Sequence, residues 1–462
     1  MTMTGSELAP LDVAGMGQPQ RERLSLLVIL VGLFITLAIT VAGITPFNYV
    51  VRGLGAVLAI AYFFYALRAR SQVCPEMFLY FIWAGWALLG VFASINTYLF
   101  VTRWLTVFQM WIMLVILGGF TNSRRALSVS LGFLFVGVAI GGWASVVGGS
   151  FRKELADIER IEAVGLGPNG FGRLAVAGMV GLAYFWMLPF RRGRWRYLTL
   201  LAAMGVLGVL VVLTGSRFSF GGYFLFIGLW AWFCYRDKML QNPRVFLAAL
   251  LILVLAGGGM YFLASRALVG VRLGQTFDWL FRGGNPAAGG SVRIELHRLA
   301  LRLLMERPLF GVGLHNFRAY SWMGKASHSD YTEIFAGTGF LGGFLHLSIY
   351  LVLWLRAGKI MRHTKDLATK QTCGLIRAFE ITFLVLGFGQ PNFSNKFVWI
   401  LMALFIGYTT AVWNRLRTEV APAGGHVAGV VPGPGRRPNG MLASPGSRLA
   451  VCDEGHAGVG PL

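Results

Sequence analysis

The sequence predicts an all-α fold: a polytopic transmembrane helical bundle of about twelve spans, with a large extracytoplasmic loop that contains an amphipathic helix. Three observations lead there. The chain is 56% hydrophobic and only 13% charged, where a soluble domain carries about a quarter charged residues. Apolar runs of roughly 17–23 residues recur along it, the length that crosses a hydrocarbon core. The runs are continuous rather than alternating, which excludes a β-barrel.

Taken in order, the first run, Leu24–Gly43, is too long for the apolar region of a signal peptide and lacks a clear small-residue cleavage site, so it reads as a true helix. Spans follow at 49–67, 77–95, 101–120 and 126–148. Arg52 and Arg103 stand near the starts of the second and fourth, where a long side chain reaches the headgroups. A loop, 149–173, leads to spans at 174–190, 197–214, 218–235 and 245–264. The long loop 265–334 precedes the last three, 335–357, 376–390 and 397–413. Glu380 is the clearest acidic residue inside a span, and Arg377, three residues earlier, is its natural partner. The organisation is therefore a cytoplasmic segment 1–23, a membrane domain 24–413, and a tail 414–462 rich in Gly, Pro and Ala that cannot bury a core. No repeat of 20–50 residues is visible.

A net charge of +22 would point to nucleic acid in a soluble protein. Here its distribution explains it, and no nucleic-acid partner is expected. With the N-terminus inside, the inner loops hold Arg68 and Arg70, Arg124 and Arg125, the 191–196 arginines, Arg236, Lys238 and Arg244, then Arg356 through Lys370, then Arg415 and Arg417. Short outer loops hold almost none, Lys396 excepted. Cytoplasmic loops carry the excess of Lys and Arg, so both termini are placed in the cytoplasm. Cys74, Cys234, Cys373 and Cys452 all fall on that reducing side, and neither a disulfide nor a cysteine metal site is expected.

The chemistry-bearing residues gather in the large loop. Ser291–Arg307 reads as a helix with Val292, Leu296, Leu299 and Leu303 on one face and Arg298, Arg302 and Glu306 on another. Pro308 ends it, and Gly311 and Gly313 make a flexible turn. The charged row is read as a solvated lid. Arg293, at the start of that helix, and Arg217, in the abrupt turn LTGSRFSFGG, both lie at the outer edge of the membrane. Two arginines converging there hold a diphosphate by forking onto its oxygens; the rival reading is headgroup binding. His328, in KASHSDYTEIF, has the near-neutral imidazole that takes a proton from a sugar hydroxyl, with Asp330 and Glu333 as rival bases. His297 and His315 share the loop, but the three histidines match no short ligand spacing, and no metal is expected.

The runs ERPLFGVGLHNF and SHSDYTEIFAGTGFLGG, together with Ser216-Arg217 and GLGPNGFGRLA around Pro168 and Asn169, resemble the hallmark region of the O-antigen ligase and polymerase superfamily. Pro308, Gly311, Gly313 and Phe317 fit its P-x-x-G-x-G-x-x-F stretch, while Ser329 stands where many members have Asn after the histidine. The likeness runs over about residues 24–413. It implies a metal-independent glycosyltransferase without cofactor, at the outer face of a bacterial inner membrane. The implied donor is a glycan on undecaprenyl diphosphate. The implied acceptor is lipid A–core, making a ligase, or another lipid-linked glycan, making a polymerase. The resemblance implies His328 as catalytic base and Arg217 and Arg293 as diphosphate ligands. A transporter of lipid-linked glycan is the alternative from another class, though carriers usually show internal repeats.

Overall fold

The computed structural model describes residues 26–40, 45–69, 74–147, 151–154, 158–161, 167–188, 194–244, scattered positions between 246 and 262, and 288–420. The chain divides into two units, Met1–Thr418 and Glu419–Leu462, and the bundle belongs to the first. The expected segment 1–23, residues 421–462 of the expected tail, Cys452 and the first part of the loop 265–334 lie outside the described residues.

Five helices open the bundle: α1 (Leu26–Thr40), α2 (Thr45–Ala69), α3 (Pro75–Leu89), α4 (Thr97–Phe120) and α5 (Arg124–Val147), with a 3-10 turn, Gly90–Ala93, between α3 and α4. Then come α6 (Pro168–Met187), α7 (Arg194–Leu213), α8 (Arg217–Gln241), the loop helices α9 (Ala288–Glu306) and α10 (Phe317–Tyr320), and α11 (Asp330–His363), α12 (Leu367–Gly387) and α13 (Lys396–Val420). The starts follow local rules. Pro75 and Pro168 open α3 and α6, where a missing N–H costs nothing. Ser216 caps α8 and Asp366 caps α12 with side-chain oxygens that accept from the first-turn amides.

Among the described residues eight helices are long and apolar enough to cross a membrane, accompanied by two shorter apolar helices, Leu26–Thr40 and Tyr197–Leu213. The expected span 245–264 lies partly outside the described residues. One departure from an all-α fold is an antiparallel hairpin of β1 (Phe151–Glu154) and β2 (Ile158–Ile161), with Lys153 opposite Glu159. Two charged four-residue strands carry too short a pattern for periodicity to reveal.

The innermost helices are α6 and α13, whose spans are 83% and 72% buried, against 11% for the peripheral α2. Small residues set the closest crossing: a Cβ on Gly407 of α13 would collide with the Gly118 carbonyl oxygen of α4, so only glycine lets these backbones touch. Inside the bundle, Arg356 of α11 pairs with the fully buried Glu76 of α3 and donates to the Thr410 hydroxyl of α13. The expected Arg377–Glu380 pair does not form. Arg377 turns to α11 instead, lying 4.3 Å over the Trp354 ring and donating to the Trp354 carbonyl, while both Glu380 carboxylate oxygens are buried without a hydrogen-bond partner. Spacing of three residues permits a pair, and the aromatic face of the neighbouring helix outcompetes it.

Candidate functional site

Residues 307–340 form one docked platform at a single end of the bundle. The leucine face of α9 is buried as the sequence predicts, through Leu296, Ala300 and Leu303, with Val292 and Leu299 packed against them. The turn after it is not flexible. Gly311 and Gly313 have φ of +65° and +88°, and a Cβ on either would strike the Ala336 carbonyl or the Ser94 hydroxyl. Val312 N donates to Ala336 O at 2.8 Å and Phe340 N to Pro308 O at 2.8 Å, so the turn is laced to α11. The lacing is possible because α11 breaks at Gly339, with φ 73° and ψ −176°, leaving Asp330–Thr338 as a separate short helix. Trp86 Nε1 closes the same break by donating to Thr338 O at 3.1 Å. Asn316, fully buried, clamps the platform to the start of α4: its Oδ1 accepts from Asn96 N at 2.8 Å.

Two histidines on this platform hold left-handed backbones, His315 at φ 64° and His328 at φ 59°, and they are the only non-glycine residues among those described to do so. Such strain persists only where surrounding contacts over-determine it, and it concentrates at functional sites. For His328 the restraint comes from Glu333, one turn into α11. Its Oε2 accepts from Ser327 N at 2.9 Å and from Ser327 Oγ at 3.0 Å, and Thr332 Oγ1 donates to Ser327 Oγ at 2.8 Å. Glu333, a rival base in the sequence, is therefore 2% exposed and engaged in holding the turn. Asp330 is likewise engaged: its Oδ1 accepts from Asn392 N at 2.7 Å and Phe393 N at 2.9 Å, tying the α12–α13 turn to the platform.

Half-burial, then the Arg293 guanidinium, pushes the His328 imidazole down to about 4, with Lys325, Arg318 and His297 adding to the effect. It is neutral at physiological pH. His297 sits one turn after Arg293 on α9, and both act on the His328 imidazole, so both face the His328 turn. His315 is pushed to about 3 by burial and by Arg103 and Arg318. Arg103 Nη2 lies 3.3 Å from His315 Nε2. Arg103 thus joins the platform instead of reaching for headgroups, because the 307–316 turn packs over the start of α4.

Arg217 and Arg293, 76 positions apart, line one narrow polar pocket together with Asn169, Arg173, Ser216 and Gln390. Arg217 is the first residue of α8, beyond the tight turn at Gly215 (φ 64°), and Arg293 reaches across from α9. Arg173 was not singled out from the sequence. Helix α6 starts at Pro168, six residues before the expected span, so Arg173 enters the bundle with only 1% of its surface exposed. Its Nη1 donates to Gln390 Oε1 at 3.5 Å, while Nε and Nη2 have no hydrogen-bond partner among the described residues. A buried guanidinium with open donors, beside two further arginines, is the chemistry of an oxyanion site. Arg293 is common to both groups: it lines this pocket and acts on His328. Arg298 and Arg302 point to solvent.

Residues 202–347 match the family model described as O-Antigen ligase. The interval holds Arg217, Arg293, His328 and Glu333 and upholds the resemblance to the O-antigen ligase and polymerase superfamily; Arg173 and Gln390 lie outside it. With its span-length apolar helices, the chain is a membrane protein. A comparison with curated proteins gives no match.

Proposed function

We propose that this membrane protein is a glycosyltransferase of the O-antigen ligase type, moving a glycan from undecaprenyl diphosphate to a lipid A–core acceptor at the periplasmic face of the inner membrane. One observation carries the reading: Arg217 and Arg293 line one pocket with the buried, incompletely bonded Arg173, and Arg293 also acts on His328. That is a cluster of three arginines, one of which acts on a neutral imidazole.

In the proposed step the acceptor hydroxyl oxygen attacks the anomeric carbon and its proton passes to His328. The bond from the anomeric carbon to the diphosphate oxygen breaks, and the electron pair leaves with the diphosphate. Arg217, Arg293 and Arg173 stabilise the charge that develops there, where preorganised donors act most strongly. A diphosphate leaves without an acid catalyst, so no carboxylate pair of the glycosidase kind is needed, and the step uses neither metal nor cofactor. An imidazole at about 4 is a weak base; the bound diphosphate offsets the Arg293 field and raises it towards the working pH. Asp330 and Glu333 hold backbone in place rather than taking the proton. A polymerase would use the same chemistry with a lipid-linked glycan as acceptor.

The test is a deletion strain complemented with His328→Ala and Arg217→Ala. Both variants should reach the membrane folded and leave no surface glycan, with long chains stranded on undecaprenyl diphosphate. Core carrying a single repeat would assign a polymerase instead. Normal surface glycan in the His328→Ala strain would end the catalytic assignment.

A further inference from the structure

A second cavity, of about 380 Å³, opens between α1, α2 and α4. Phe34, Gly55, Ala59, Met113 and Leu117 are among its walls, and its charged lining residues are Arg52 and Lys396. It exists because α2 is the least buried span and presents small residues, Gly55, Ala56 and Ala59, to its neighbours. Arg52 and Lys396 are close enough to repel one another. No acidic residue occurs in α1, α2 or α4 to balance them. Neither cation has a hydrogen-bonded or ion-paired partner among the described residues. A pair of like charges at the mouth of an apolar groove is unfavourable unless an anion joins them.

The mouth lies at the same end of the bundle as His328. Helix α4 starts beside Asn316 of the platform, and α13, which begins at Lys396, follows Phe393, whose amide bonds Asp330. Along α4 the lining runs from Thr106 to Leu117. Eleven steps of 1.5 Å rise between them give about 16 Å, close to half of a hydrocarbon core of about 30 Å. A chain confined to one leaflet fills that length, whereas a long polyprenyl tail overruns it.

We propose that this groove is a binding site for an anionic phospholipid, with one acyl chain along α4 and the phosphate held between Arg52 and Lys396. It is separate from the arginine pocket and holds a structural lipid rather than a reactant, so it stands whatever the transferred glycan.

The test titrates purified full-length protein with phosphatidylglycerol and phosphatidylcholine and reads bound lipid by native mass spectrometry. Wild type should prefer phosphatidylglycerol, and Arg52→Ala/Lys396→Ala should bind it roughly thirty-fold more weakly, from the attraction of each cation for an anionic surface. Arg52→Lys should restore most of the affinity. Ala59→Trp, which fills the groove and leaves both cations, should lose phosphatidylglycerol as well. Equal phosphatidylglycerol binding by wild type and the double variant would overturn the site. So would inorganic phosphate competing as well as the whole lipid, which would leave the groove no part, or an undecaprenyl phosphate displacing phosphatidylglycerol, which would make this a polyprenyl site.

Discussion

Truncating Glu333 to alanine tests how the His328 turn, proposed to carry the base, is held. The carboxylate makes two hydrogen bonds, to Ser327 N at 2.9 Å and Ser327 Oγ at 3.0 Å. Bonds to a charged acceptor contribute about 1.5–3 kcal/mol each, so roughly 3–6 kcal/mol restrains the turn. Against this stands the left-handed backbone of His328, at φ 59°, which costs about 1–3 kcal/mol for a non-glycine residue. The restraint exceeds the strain, so the turn holds; without Glu333 the balance reverses and His328 relaxes out of its left-handed conformation. A displacement of about 1 Å costs on the order of a hundred-fold in rate. The assay is transfer of glycan from lipid-linked donor by purified protein, with kcat and donor KM separated. Glu333→Ala should lose about a hundred-fold in kcat and leave donor KM within about twofold, because the arginine pocket is untouched. Glu333→Gln keeps one acceptor for Ser327 and should fall between. A Glu333→Ala protein with wild-type kcat would refute the reasoning, since the turn would then hold itself.

Three further outcomes are expected. With His328 pushed down to about 4, the free protein's base stays deprotonated as pH falls through 6.5, so kcat/KM should drop only near pH 4–5; in Arg293→Gln the limb should shift up towards 6.5, and a wild-type midpoint already at 6.5 would contradict the burial argument. Gly339→Ala puts a Cβ against the Leu309 carbonyl in a conformation essentially reserved for glycine, which should lower stability by about 1–3 kcal/mol or more in detergent unfolding; an unchanged midpoint would mean the α11 break is dispensable. Arg356→Met strands the buried Glu76 carboxylate and should destabilise by about 3–5 kcal/mol, while the Glu76→Leu/Arg356→Met double variant should recover most of it; equal loss in both would show that the pair is not the cause.

Hydropathy and basic loops made the bundle readable, and helical spacing made α9 readable down to its buried Leu296 and Leu303. Arg217 and Arg293, which the sequence places at the same outer edge of the membrane, line one pocket. Arg173 was hidden by its surroundings: GLGPNGFGR reads as polar loop, yet Pro168 starts a helix and carries the guanidinium inward. Arg103 and His315, 212 positions apart, share no local pattern. Gly311 and Gly313 advertise a turn, and a turn's sequence does not reveal whether the backbone is loose or laced to Ala336 and Pro308. Glu333 was legible as chemistry but not as a clamp, since that depends on a histidine whose backbone angle no residue pattern announces.

The α12–α13 turn has a consequence for how the molecule comes into being. Gln390 completes the arginine pocket, and the amides of Asn392 and Phe393 grip Asp330. A chain leaves the ribosome from its N-terminus, so Arg173, Arg217, Arg293 and His328 are all synthesised before the segment that locks them. The nascent protein therefore carries all four side chains before the turn that fixes their arrangement exists, and the proposed activity would begin only when its penultimate helix has handed over to the last.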